Sequence, residues 1–418
     1  MSYLSSRSLV AAAAMAVSLM AAPSSSRAEA AVDEVVRWNE LATAATGAAQ
    51  MDPLTESRLL AMLHLAMHDA VNAIVGRYQS FTTVERATAT ASVDAAVATA
   101  ARDVLVVMLP KDAAVWEAAH ASTLAALTDR NGQAAGVATG RRAAQAVLAR
   151  RADDGAGATV AYTPRDVAGD YRPTPPELMP AMFAHWGAVA PFALTSAAQF
   201  RPVPPPVAGS ARALAEIREI RRIGGASSAV RTAEQSEIAK YWYENSTLGW
   251  NRIAREIAAA RPMDLAARAR FFALINVAMA DGFISGFEAK YHYRYWRPVT
   301  AIHAAGETTW ATFLPTPPVP DHPSTHTVLG AAAARTMARL LGTDLVSFSM
   351  ISGAPYGGIR RQFYSLSSAA RENGASRMFA GIHFRSAVDA GYTLGEQVGD
   401  WAVDTLLRPL AADSESDQ

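Results

Sequence analysis

The segment SRLLAMLHLAMHDAVNAI, residues 57–74, carries the pattern that decides the fold. Its apolar side chains recur every three or four positions, the spacing of one face of an α-helix. They are Leu59, Leu63, Met67, Ala70 and Ile74. Similar stripes run through residues 89–108, 113–127 and 135–150, whereas strand-like alternation is nearly absent. The sequence therefore predicts an all-α protein built from two packed helical bundles.

The composition excludes several classes of function. The 418 residues include 38 basic and 38 acidic side chains. Because no overall field results, we expect no nucleic-acid partner. The absence of cysteine excludes disulfides, thiolate zinc sites, iron–sulfur clusters and cysteine nucleophiles. Most proton-transfer and metal-ligand chemistry is therefore left to the nine histidines.

The N-terminus has the pattern of a secretory signal peptide. Arg7 precedes an apolar run over residues 9–22, and a small-residue cleavage site follows. We expect residues 1–30 to be removed on export to the periplasm or the medium. The later apolar stretch 271–287 contains an asparagine and an aspartate, so we expect no stable membrane insertion.

Two Pro/Gly-rich stretches divide the rest of the chain. They cover residues 153–191 and 202–209 and are too rich in proline to be helical connectors. We expect an N-terminal helical half over residues 31–208 and a C-terminal helical bundle over residues 209–418. The oligomeric state is left open.

His64 and His68 form the first chemical candidate. At i and i+4 they share one helical face and could hold a metal. A metalloprotease would need glutamate after the first histidine, where this chain has Leu65. We favour hydrogen-bonded core histidines.

The segment KYHYRYWRP, residues 290–298, is the second candidate. Seven residues are almost two helical turns, so Lys290 and Arg297 project from one side if the helix persists, and Pro298 helps to set the start of the next element. A point charge beside a planar fork suits a tetrahedral oxyanion. By itself the pattern would be a solvated basic face.

The segment PPVPDHPSTH, residues 317–326, is the third. A helical run follows it, which places the amides around Ser324, Thr325 and His326 at a helix N-terminus. This is a ready anion site, although Ser324 could simply cap the helix. The segment SRMFAGIH, residues 376–383, adds Arg377 as a second fork and His383 as an imidazole able to bind the anion centre.

Together these segments resemble the signature of the vanadium-dependent haloperoxidase and type 2 phosphatidic acid phosphatase superfamily. That signature is Lys-x6-Arg-Pro, then Pro-Ser-Gly-His, then Ser-Arg-x5-His. Segments 68–73, 185–192 and 250–252 also look like secreted bacterial haloperoxidase-type members, so the resemblance covers most of the chain after residue 30.

The resemblance implies a vanadate cofactor, a site that phosphate can also occupy, and hydrogen peroxide with a halide or small organic substrate. Lys290, Arg297 and Arg377 would hold the oxyanion, helped by Ser324 and the Thr325 amide. His383 would bind vanadium axially, and His326 would act as the acid-base catalyst.

Two departures from the family pattern affect this site. Thr325 replaces the usual glycine, which preserves the amide but adds a β-branched side chain. The carboxylate that many members place four residues after the second histidine is missing, because Ala387 occupies that position. Asp389 is a doubtful substitute, since it lies about 120° away around a helix.

Two alternatives use the same residues. In an acid phosphatase, His383 would form a phosphohistidine and His326 would protonate the leaving alcohol. A non-catalytic secreted protein could bind an oxyanion through the cations alone. We favour the haloperoxidase because the chain has an export signal, no phosphatase-type His-Tyr-Pro sequence at 383–385, and a long N-terminal helical half. Val319 leaves the halide open, because haloperoxidases often have an aromatic residue or histidine there.

Overall fold

Helices dominate the fold, as the apolar periodicity predicts. The computed structural model describes residues 33–410. The expected signal peptide therefore lies outside the described residues. The regular structure of the described residues consists mainly of α-helices, with one short antiparallel hairpin. The helices are α1 (Glu34–Ala48), α2 (Pro53–Val75), α3 (Val93–Met108), α4 (Ala113–Ala126), α5 (Gln133–Arg150), α6 (Ala211–Ile223), α7 (Ala233–Tyr241), α8 (Ser246–Ala259), α9 (Leu265–Tyr293), α10 (Pro298–Ala304), α11 (Thr325–Leu341), α12 (Leu366–Phe379) and α13 (Arg385–Thr405). The strands are β1 (Phe348–Ile351) and β2 (Arg360–Phe363).

Short polar side chains begin most of these helices. Asp52 caps α2, accepting hydrogen bonds from the amides of Leu54 and Thr55. Asn245 and Asp264 cap α8 and α9 in the same way. Because each cap satisfies amides that have no partner within the helix, the sequence fixes where these helices start.

Helix α9 is the central element of the core. It packs against α2, α8, α11 and α13 and is buried along most of its length. By length and composition it could cross a membrane, but 94% of its most apolar window is buried inside the protein. Its buried Asp281 is satisfied there, because the carboxylate accepts hydrogen bonds from the amides of Phe192, Ala193 and Leu194.

Glycines bring α13 against α11. A Cβ atom at Gly395 would lie 2.3 Å from the carbonyl oxygen of Val328, and one at Gly391 would lie 2.7 Å from that of Ser324. Both distances are too short for any side chain, so these positions require glycine. The close approach places the start of α11 beside the loop that precedes α13.

The long Pro/Gly-rich stretch contains only a short 3-10 turn at Trp186–Ala188. It is an ordered segment, in which Tyr171 and Trp186 are buried. Helices from both predicted halves pack on α9. The division at residue 208 and the two-bundle description therefore stay predictions.

Candidate functional site

Lys290 and Arg297 join three segments of the chain. Lys290 lies in the last turn of α9, and its Nζ donates to the carbonyl oxygens of Pro320 at 2.6 Å and Asp321 at 3.1 Å. Arg297 donates from Nε to the carbonyl of Val319 and from Nη1 to that of Ile382, each at 2.7 Å. Both side chains are buried.

The two cations do not share one helix, so the condition under which they would project from one side of it is not met. Helix α9 ends at Tyr293 because Arg294 adopts a left-handed conformation with φ of 55°. Arg297 instead precedes α10, whose first residue is Pro298. The two side chains come from different elements and donate to carbonyl oxygens of the same segment, residues 319–321.

The start of α11 lies beside them. Ser324 occupies the cap position, but its hydroxyl makes no capping hydrogen bond and instead accepts one from Thr327 at 2.9 Å. The Ser324 proton is thus free to donate. Thr325 has its methyl group against Gly286 of α9, where a Cβ atom would lie only 2.6 Å away. The threonine that replaces the family's usual glycine therefore fits because α9 has a glycine, Gly286, opposite its methyl group.

Arg377 is in the last turn of α12 and is buried. Its Nε and Nη1 have no hydrogen-bond partner among the described residues, while its guanidinium lies 5.4 Å from the Tyr243 ring. Burial lowers the pKa of Arg377 to about 10, opposed by Tyr243 and aided by the charge of Arg297.

His383 contacts a carboxylate that sequence reasoning missed. Asp321 Oδ1 lies 2.9 Å from His383 Nδ1 and 3.9 Å from Arg297 Nη1, and the Asp321 side chain is fully buried. Burial raises the pKa of Asp321 to about 7, against the charges of Arg297 and Lys290. Asp321, rather than Asp389, supplies the carboxylate partner of this imidazole. A signal was available, because Asp321 lies inside the proline-rich segment, three residues before Ser324.

His326 is the second residue of α11, and its Nε2 has no hydrogen-bond partner among the described residues. Burial lowers the pKa of His326 well below its usual range, and Arg377 lowers it further. His383 is affected in the same direction by burial and then by Arg297 and Lys290. Both imidazoles are therefore held neutral, the form that can bind a metal or accept a proton.

A cavity of about 740 Å³ opens over these groups. Arg297, Thr325, His326, Arg377 and His383 are among the residues that line it. Lys290 and Ser324 are fully buried and are not in the lining. The rest of the wall is mainly apolar and includes Met51, Phe183, Phe283, Phe287 and Val319. Phe183 comes from the long loop, which therefore contributes to the cavity.

The residues present fit an oxyanion. Lys290, Arg297 and Arg377 are all buried, and within residues 33–410 Asp321 is the one carboxylate in contact with this group. Buried cations without enough counter-charge are costly. A tetrahedral oxyanion would supply that charge and accept hydrogen bonds from the free guanidinium nitrogens of Arg377.

His64 and His68 lie apart from this cavity lining. His64 Nε2 is 2.8 Å from the amide nitrogen of Asn39, and its ring stacks on Phe272 at 5.3 Å. His68 Nδ1 is 3.2 Å from its neighbour Asp69. Within residues 33–410 no group of three or more His, Asp or Glu could hold a metal ion. The structure thus favours core histidines here.

The fold and site define an all-α protein with a buried, cation-rich oxyanion pocket. Comparison with known proteins agrees: residues 270–411 match the model of the VCPO second helical-bundle domain. Vanadium chloroperoxidase of Curvularia inaequalis is 26% identical over 264 residues, which are 46% of this chain and 43% of that protein. The chain thus matches less than half the length of this curated relative.

Two bacterial structures extend the match. The crystal structure of the first bacterial vanadium-dependent iodoperoxidase has a TM-score of 0.82 at 27% identity and covers 91% of this chain and 97% of its own. A holo-type bacterial vanadium-dependent chloroperoxidase has a TM-score of 0.71 at 19% identity, covering 84% and 91%, and shows the shared fold. The chain is thus similar to vanadium-dependent haloperoxidases, in sequence over residues 270–411 and in fold over most of its length.

Proposed function

We propose that this protein is a vanadate-dependent haloperoxidase that uses hydrogen peroxide to oxidise a halide. One observation carries the proposal: two buried arginines and two neutral imidazoles line one cavity, Lys290 is buried behind it, and among the described residues only the Asp321 carboxylate contacts this group. A core that only had to fold would not retain such an excess of buried positive charge.

The side chains divide the work of holding the cofactor. Lys290, Arg297 and Arg377 would neutralise a vanadate dianion, and the free Ser324 proton and the Thr325 amide would donate to its oxygens. His383 would bind vanadium through Nε2, because Nδ1 faces Asp321 and the only neighbour of Nε2 among the described residues is Arg297 Nη1 at 3.1 Å, a group that would itself donate to the oxyanion. Bound vanadate supplies the Lewis-acid centre that activates peroxide.

His326 is the group that we propose for proton transfer. Nε2 of His326 makes no hydrogen bond within the described chain, so its lone pair can accept a proton from hydrogen peroxide in the cavity. Arg297 and Arg377 stabilise the negative charge that develops. A purely binding protein needs no such base, which favours catalysis over simple oxyanion capture.

Iodide is the halide we propose. It is the most easily oxidised of the common halides, and the iodoperoxidase structure matches this chain more fully than the chloroperoxidase structure does. Val319 lines the cavity beside the site. The cavity wall offers apolar contacts suited to a large, weakly hydrated halide. The volume also leaves room for a small organic acceptor.

The decisive assay compares two activities of the purified protein, with and without added orthovanadate. We expect peroxide-dependent iodide oxidation only after vanadate is added, with bromide and chloride slower. Hydrolysis of a phosphomonoester that vanadate inhibits, with no halide oxidation, would establish the phosphatase alternative instead. Absence of both activities would favour the non-catalytic oxyanion-binding protein.

Export is part of the proposal and rests on the sequence of residues 1–30 alone. Mass spectrometry of the protein from the periplasm or medium should show a mature N-terminus near residue 31. An intact N-terminus on protein retained in the cytoplasm would contradict export.

A further inference from the structure

Ser246 contacts the proposed base from outside the three segments of the signature. It is the first residue of α8, and its Oγ lies 2.5 Å from His326 Nδ1. Both residues line the cavity, and Ser246 is only 6% exposed. This is the one side-chain hydrogen bond of His326 within the described residues.

The start of α8 is held firmly, so Ser246 is a fixed point. Asn245 caps the helix, accepting a hydrogen bond from the Thr247 amide at 3.0 Å. The Asn245 side-chain amide also donates at 2.7 Å to the carboxylate of Glu56, which is fully buried in α2. A hydroxyl placed on a capped and anchored helix end can therefore orient a partner ring.

The surroundings of the ring indicate which nitrogen carries the proton. Nε2 is buried and has no hydrogen-bond partner among the described residues, and a buried N–H without an acceptor is costly. Nδ1 faces the Ser246 hydroxyl, which can accept a hydrogen bond. The favoured tautomer therefore has its proton on Nδ1, which donates to Ser246 Oγ, and Nε2 keeps its lone pair.

We propose that Ser246 is a positioning residue that fixes the orientation and tautomer of His326, with Nε2 unprotonated and facing the cavity. Its catalytic consequence rests on the function proposed above, but the tautomer itself does not. Without the hydroxyl the ring can rotate and exchange tautomers, which removes the base from part of the population. Because a general base contributes about 10²- to 10⁴-fold, partial misplacement should cost about 10- to 100-fold in kcat.

The tautomer can be read directly by ¹⁵N NMR of the histidine-labelled protein, with His326→Gln identifying the signals. We expect wild type to show the Nδ1-protonated form alone, and Ser246→Ala to show a mixture. In the vanadate-loaded enzyme, Ser246→Ala should lower kcat with less than about threefold change in KM for peroxide, while Ser246→Thr restores both readouts. Ser285→Ala, another fully buried serine, is the matched control and should change neither.

Each outcome decides a different question. Identical spectra and kcat for wild type and Ser246→Ala would overturn the positioning role. A tautomer change in a protein that never oxidises halide would support that role and reject the proposed function. If Ser246→Ala does not fold, Ser246→Cys provides a weaker hydrogen-bonding group of similar size, and an unchanged spectrum there would also overturn the proposal.

Discussion

Two buried polar regions of this protein differ in one respect. The asparagine cluster (Asn39, His64, Asn251 and Asn276) joins α1, α2, α8 and α9, and each of its amides is hydrogen-bonded at both oxygen and nitrogen. The cation site is defined as Lys290, Arg297, Arg377, Asp321 and His383, and it leaves guanidinium nitrogens of Arg377 without partners among the described residues. In the first region every amide is satisfied, and only Nδ1 of His64 lacks a partner among the described residues, whereas the second region carries excess charge.

This difference separates buried polar groups that stabilise the fold from those that bind a ligand. A satisfied network holds helices together and needs nothing further. An unsatisfied, charged one is costly to the folded protein and persists where a ligand completes it. The same kind of substitution should therefore have opposite consequences in the two regions.

The largest expected difference comes from replacing one histidine in each region by glutamine. His383→Gln should lower vanadate-dependent activity by about 10³-fold or more and abolish tight orthovanadate binding, because the imidazole that would bind vanadium is lost. His64→Gln should leave kcat within about twofold. Steady-state assays and calorimetric titration of orthovanadate check both, and equal losses in the two variants would remove the distinction.

The next effect concerns the Asp321 carboxylate. Asp321→Asn should lower the free energy of unfolding by about 3 to 5 kcal/mol without vanadate, since it leaves buried cations uncompensated. Urea denaturation with and without orthovanadate measures this, and ligand binding should recover part of the loss. The control is Asp389→Asn, on the surface of α13, with an expected change within about 0.5 kcal/mol. A similar loss in both variants would contradict a special role for Asp321.

Arg377→Met should separate stability from binding. Replacing a buried cation that lacks partners by an apolar side chain should leave the free energy of unfolding unchanged or raise it by about 1 kcal/mol. Orthovanadate affinity should fall about 10- to 100-fold, the size of a charged hydrogen bond. In the asparagine cluster, Asn251→Leu should destabilise instead. Thermal denaturation and titration of both variants provide the comparison, and destabilisation by Arg377→Met would show that the arginine serves the fold.

The smallest effect is a pH dependence of the asparagine cluster. Burial, followed by the charge of Arg255, lowers the pKa of His64 to about 3 from 6.5. Below pH 6.5 the unfolded chain therefore binds a proton that the folded protein does not, so His64 stabilises fully above pH 6.5 and loses about 1.4 kcal/mol per pH unit below it. Urea denaturation at pH 7.5 and 5.5 should show a steeper loss in wild type than in His64→Gln. Parallel losses would mean that His64 titrates normally.

The helices and the three site segments could be predicted from the sequence because both depend on the spacing of residues that are close in the chain. The stripe over residues 57–74 became part of α2, and the residues around Ser324 do lie at a helix start. The end of α9 was left open by the sequence, because nothing in a run of aromatic and basic residues indicates that Arg294 adopts a left-handed conformation.

Partners across the fold were harder to find. Asp321 and His383 are 62 positions apart, and Ser246 and His326 are 80 apart. Tertiary packing alone decides which carboxylate or hydroxyl meets which imidazole. The sequence shows that the usual carboxylate after His383 is missing. Only the fold shows that Asp321, from residues 317–326, takes its place.

Diffraction from crystals soaked in tungstate, a heavy analogue of vanadate, locates the oxyanion directly through its anomalous signal. We expect one strong peak in the cavity, next to His383 Nε2 and within hydrogen-bond distance of Arg297 and Arg377. A peak elsewhere in the molecule, or none at this position, would contradict an oxyanion site formed by the excess buried charge.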